Sequence, residues 1–271
     1  MSRPDELADA SPVAGDDESR VDGDRPGTAL SGEGPRSRPG IYYQDRVLVL
    51  ASTGGGKSTL LNVLFSTAYR CQRFLLDTKD EWRIDGVPPV TKLADIDWTQ
   101  PVIHYVDDTG TKDDHDRLFK TLLARRQGRV PGPKRYGLVV CVHELADLCG
   151  DNPGSTPVNV SGYLRKGRAH GQGLLGASQR PVNLPKAAKT EAQHYFVMAG
   201  ELDADDRQVI AKALRLTESQ LDAELERARA LAPDPSLADY AYLWYDRPAR
   251  RLTAWPPLPP HMLARSFVHA L

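Results

Sequence analysis

From Ile41 onward the apolar residues fall into short unbroken runs separated by longer stretches with one apolar face. That rhythm predicts strands alternating with helices. Strands are expected over 46–51, 73–77, 102–105, 137–142, 173–178 and 194–198. Helices are expected from the end of the first strand's loop to about residue 69, and over 113–126, 204–214 and 218–231. Runs such as Leu138-Val139-Val140-Cys141-Val142 do not alternate with polar residues, so both faces of those strands are buried. This pattern indicates an α/β fold, with a mostly parallel central sheet covered by helices. A small C-terminal β-hairpin is expected from residues 240–245 and 251–255, followed by a proline-rich end.

The hydropathy pattern also divides the chain. Residues 1–40 contain no aromatic side chain and carry nine acids against five bases, so they read as a disordered acidic tail. The folded domain is expected over 41–250, and a last strand with a proline-rich tail over 251–271. The 271 residues are enough for one large core.

The turn after the first strand changes the picture from fold to chemistry. It reads Ala51-Ser52-Thr53-Gly54-Gly55-Gly56-Lys57-Ser58-Thr59 and lies between a buried strand and a helix, the setting of a phosphate-binding loop. Gly54, Gly55 and Gly56 let consecutive backbone N–H groups turn inward, toward phosphate oxygens. Lys57 is placed to reach the β- and γ-phosphates, and the Ser58 hydroxyl to ligate Mg²⁺. Thr53 and Thr59 flank this cradle, so the expected ligands are ATP and Mg²⁺. The usual pattern has Gly at position 51, and here Ala51 requires a negative φ.

Ligands of parallel sheets bind at the carboxyl ends of the strands. That rule selects Asp77, His143, Glu144 and Gln179, each at the end of a predicted strand. Glu144 is the candidate base for polarising an attacking water. The usual pair at that position is Asp-Glu, and a neutral imidazole at His143 supplies no negative charge. Asp77 is the other candidate Mg²⁺ ligand. The Gln179 amide can sense a γ-phosphate or orient water. Between these strands, Arg165, Lys166 and Arg168 form a cationic segment expected to pack beside the site and to offer an arginine finger to a neighbouring subunit.

The loop, Asp77-Thr78-Lys79-Asp80-Glu81, Val142-His143-Glu144, Arg165-Lys166-Gly167-Arg168-Ala169-His170-Gly171 and Ala177-Ser178-Gln179-Arg180-Pro181 occur in this order. Together they resemble the HerA/FtsK superfamily of P-loop ATPases, most of all its viral genome-packaging members. The resemblance spans roughly residues 46–245. It implies a RecA-like P-loop NTPase core and a homo-oligomeric ring, commonly a hexamer, with ATP-driven movement of double-stranded DNA. It implies that Lys57 and Ser58 bind the nucleotide, Glu144 is catalytic and Gln179 is the polar sensor. Arg165 or Arg168 falls where a finger is expected. A capsid or portal component is a further partner that the resemblance suggests.

Composition limits where such DNA could bind. Lys and Arg total 35 against 36 Asp and Glu, so no whole-molecule field draws nucleic acid. The richest local cationic stretch runs from Arg117 to Arg135, with Arg125, Arg126, Arg129, Lys134 and Arg135 as candidate backbone contacts. Three scattered cysteines suit a reducing compartment. No apolar run is long enough for a membrane span and no leader pattern appears, so cytoplasmic residence is expected (host cytoplasm for a viral protein, with virion association open), without membrane insertion. Two other readings share the loop: a nucleotide-binding scaffold or switch that hydrolyses little, and a P-loop kinase.

Overall fold

The computed structural model describes residues 41–68, 71–107, 110–125, 137–149 and 155–270. The acidic tail expected over 1–40 lies outside them. Six predicted strands appear as β1 (Arg46–Leu50), β2 (Cys71–Asp77), β5 (Val102–Val106), β6 (Gly137–Val142), β7 (Gln172–Ser178) and β8 (His194–Met198). They are joined by short strands β3 (Trp82–Ile84) and β4 (Pro89–Val90), the hairpin β9 (Tyr242–Asp246) and β10 (Arg251–Trp255), and a terminal β11 (Val268–Ala270).

Nine strands form one sheet in the order β10-β9-β8-β1-β7-β6-β2-β5-β4. All neighbours from β8 to β4 run parallel, and β9 and β10 extend the edge antiparallel. The hairpin is therefore part of the main sheet, and the boundary drawn at residue 250 falls in its turn. After β10 the chain folds back, and β11 pairs antiparallel with β3 in a separate two-stranded sheet.

Helices cover both faces, because successive strand residues point to opposite sides. Val47, Val49, Val139, Cys141, Leu175, Ala177 and Phe196 pack under α1 (Lys57–Thr67). Leu48, Leu50, Phe74, Leu76, Val140, Val142 and Val197 pack on the opposite side. There they meet α2 (Lys112–Arg125), α3 (Val158–Lys166), α4 (Lys186–Glu191), α5 (Ala204–Leu214) and α6 (Glu218–Arg229). A short α7 (Pro260–Leu263) lies against α1. The loop that follows β1 is thus mounted on a strand buried along its whole length.

Candidate functional site

The loop leaves β1 between β7 and β8 and delivers the chain into α1. Gly54 and Gly56 adopt φ of 77° and 80°, the left-handed conformation that a side chain resists. Ala51 keeps a negative φ and is buried, so the absent glycine costs the turn nothing. Its methyl group does constrain the loop. A Cβ on Gly55 would lie 3.0 Å from the Cβ of Ala51, so the small residue moved along the loop. Gly56 is the N-cap of α1 and offers no side-chain acceptor, and the first turn holds no acid. The N-terminal amides of α1 and its dipole are thus left for an anion.

Lys57, Ser58, Asp77, Thr78, Lys79, Trp82, His143, Glu144 and Gln179 line one small cleft of about 50 Å³ at the carboxyl edge of the sheet. Lys57 is only 8% exposed, and burial lowers its pKa, with Glu144 acting in the opposite sense. The Glu144 carboxylate accepts the backbone N–H groups of Gln179 at 3.1 Å and Ala146 at 3.4 Å. Burial raises its pKa above the ordinary carboxylate range, against the lowering effect of the Ser178 hydroxyl and those two amides. A carboxylate held this way is fixed in direction and shifted toward neutrality, which suits a base. Thr53 donates from its hydroxyl to the Gln179 side chain at 2.9 Å, tying the loop to the end of β7. Thr59 is exposed at the start of α1.

Asp77 lines the cleft, but its oxygens are engaged. One accepts the N–H groups of Lys79 and Glu81, and the other that of Trp82, with the His104 ring 3.5 Å away. Its pKa is lowered despite burial, through the His104 contact and these amides. Asp77 thus holds the turn leading into β3 while lining the same cleft as Ser58. His143 stacks on Trp82 with ring centroids 4.0 Å apart and donates from Nε2 to Asn62 at 2.6 Å. Burial pushes its pKa down to about 3. No cluster of three or more acids, histidines or cysteines able to hold a metal occurs among the described residues. The donor set fits Mg²⁺ held by Ser58, phosphate oxygens and water, a mode suited to an ion that keeps most of its hydration shell.

A neutral His143 has a measurable consequence. Its folded pKa lies below the unfolded value near 6.5, so the unfolded chain binds the extra proton first. The contribution of His143 to stability is complete above about pH 6.5 and declines as pH falls toward 3. We expect the His143 ring to remain neutral between pH 5 and 8 in an NMR titration, and a mid-range pKa there would contradict its packing.

The cationic candidates fall elsewhere. Arg165 lies in the last turn of α3, and Arg168 lies 3.8 Å from Asp45, just ahead of β1. Both are therefore at the amino edge of the sheet, opposite the loop, which corrects the expectation that this segment packs beside its own site. Arg125 lies 4.6 Å over the Trp98 ring and donates to Gln72, and burial lowers its pKa to about 10. This arginine is part of the packing under α2 rather than a free backbone contact. Arg126, Arg129, Lys134 and Arg135 lie outside the described residues.

Sequence reasoning missed three contributors. Trp82 roofs His143, Ser178 steadies Glu144, and Asp147 holds the cleft wall by accepting from Thr78 at 3.1 Å and pairing with Lys79 at 3.6 Å.

With that geometry established, solved structures provide a comparison. The genome packaging NTPase B204 from Sulfolobus turreted icosahedral virus 2, in complex with AMP, matches with a TM-score of 0.60 and 17% identity, over 81% of this chain and 100% of that one. The same protein in complex with ATP-gammaS matches with a TM-score of 0.60 and 16% identity, over 81% and 100% of the two chains. B204, the DNA-packaging ATPase from Sulfolobus Turreted Icosahedral Virus, gives 0.58 and 16% over the same shares. This chain has their fold. No protein-family model and no curated protein matches the sequence. No helix among the described residues is long and apolar enough to cross a membrane.

Proposed function

We propose that this protein is an ATPase that drives double-stranded DNA as a ring of identical subunits, in the manner of a genome-packaging motor. The observation that carries the reading is the convergence of Lys57, Ser58, Glu144 and Gln179 on one cleft at the carboxyl edge of the sheet. The shared fold with packaging ATPases supports it, as does the nucleotide that B204 holds in those structures.

The division of labour follows from position. The loop amides and Lys57 bind and orient the triphosphate. Ser58 holds Mg²⁺, which when bound neutralises phosphate charge. Glu144 takes a proton from water aligned by its fixed carboxylate, and Gln179 joins the phosphate end of the site to the loop through Thr53. Arg165 and Arg168 face away from their own cleft, so any finger they provide serves a neighbouring subunit. Such a motor should be an oligomer in solution and should release phosphate faster when duplex DNA is present. A monomer whose turnover ignores DNA would sink the proposal.

A weakly hydrolysing nucleotide switch is the second reading. Neutral His143, standing where an acid is usual, favours it. That protein would release phosphate stoichiometrically rather than catalytically.

A further inference from the structure

The phosphate cleft is too small for a whole nucleotide, and the opposite flank of the loop carries the missing room. A cavity of about 610 Å³ opens beside β8, within the range of ligand pockets. Gly200, Glu201 and Leu202 at the end of β8, Leu225 and Arg229 of α6, and Asp239 border it. Gly200 joins it to the loop. A Cβ there would sit 3.7 Å from the Ser52 hydroxyl and 3.9 Å from Asp239.

Tyr240 stands at this junction. It ends the 3-10 turn Pro235–Tyr240 and is 42% exposed. A Cβ on Gly56 would come within 2.8 Å of the ring's Cδ1, so only glycine admits the tyrosine this close. The ring therefore lies against the last glycine before Lys57, on the side of the loop away from Glu144.

We infer that Tyr240 and the cavity beside β8 form the subsite for the base and ribose of the nucleotide. This rests on the nucleotide-binding reading above and deepens it. A phosphate chain whose outer end lies between Lys57 and Glu144 crosses the loop, and its nucleoside end emerges beside Tyr240. An exposed aromatic face suits any base, because every base has a π-face to stack. Glu201 and Asp239 offer acceptors to ribose hydroxyls and to an exocyclic amine, while Leu202 and Leu225 supply the apolar wall. Asp239 is kept in place by Arg229 at 3.5 Å.

The test compares ATP with inorganic tripolyphosphate, which has the phosphates and no nucleoside. Affinities are measured by calorimetry on the wild-type chain, Tyr240→Ala and Tyr240→Phe, with thermal unfolding to check each fold. Tyr240→Ala should weaken ATP about tenfold, the scale of one base–aromatic stack, and leave tripolyphosphate unchanged. Tyr240→Phe should bind both as the wild type does. Equal ATP affinity in wild type and Tyr240→Ala, with tripolyphosphate still bound, overturns the subsite alone. Parallel losses for both probes also overturn it, since the ring would then only support the loop. A wild-type chain that binds neither probe overturns the nucleotide-binding reading, and the subsite with it.

Discussion

Replacing Lys57 with alanine is expected to abolish useful ATP binding while leaving the fold intact. Lys57 is the buried cation of the cleft, at the first position of α1 and facing Glu144. Its removal leaves the phosphates opposite a carboxylate, with only the exposed, Asp147-paired Lys79 as a cation in the cleft. Truncating one partner of a buried charged contact typically costs about 2–5 kcal/mol, which corresponds to an affinity loss of roughly 30-fold to several thousand-fold. Alanine is the best helix former, so α1 should still start at this position. Titration calorimetry paired with a thermal melt checks both halves of the expectation. Affinity within about twofold of the wild type would place the triphosphate elsewhere.

Glu144→Gln should separate binding from chemistry. The amide keeps an oxygen to accept one of the two backbone N–H groups now bound at Gln179 and Ala146, but it cannot take a proton from water. General-base catalysis contributes about 10²–10⁴-fold, so turnover should fall by that factor with ATP affinity retained. The raised pKa of Glu144 adds a second signature. Activity should increase with pH as this carboxyl ionises, over a range above that of an ordinary carboxylate, and this limb should vanish in the variant. Phosphate-release rates across pH report both effects. Undiminished turnover in Glu144→Gln would remove the residue from the reaction.

The parts of the site that could be read from sequence are those whose chemistry is local. The glycine loop between a strand and a helix, and the polar residues that end continuous apolar strands such as β6 and β7, need no knowledge of distant partners. What was hidden depends on long-range pairing. β3 is three residues long, and its partner β11 lies near the other end of the chain, so neither has a recognisable period. Their pairing places Trp82 over His143, a contact no local pattern signals. Asp77 stands at a strand end as expected, and the turn amides that donate to its carboxylate are contacts that its position in the sequence does not reveal. Charge clusters were the least informative. Arg125 is committed to Trp98 and Gln72, and Arg165 and Arg168 lie at the edge remote from the loop. A run of cations declares its charge but not which edge of a sheet it will occupy.

The departure at position 51 illustrates the same division. An alanine there is tolerated because φ stays negative and Gly55 yields the space that its methyl group takes. The departure at position 143 goes further, since the imidazole there is stacked on Trp82 and held neutral by burial, and supplies no negative charge to the cleft.

Displacement of a third strand from triplex DNA tests the central claim most directly, because only movement along the duplex dislodges it. Release should require ATP and Mg²⁺, fail with a non-hydrolysable analogue, and be lost in Lys57→Ala and Glu144→Gln. A protein that hydrolyses ATP in the presence of the duplex but leaves the third strand in place would contradict the motor.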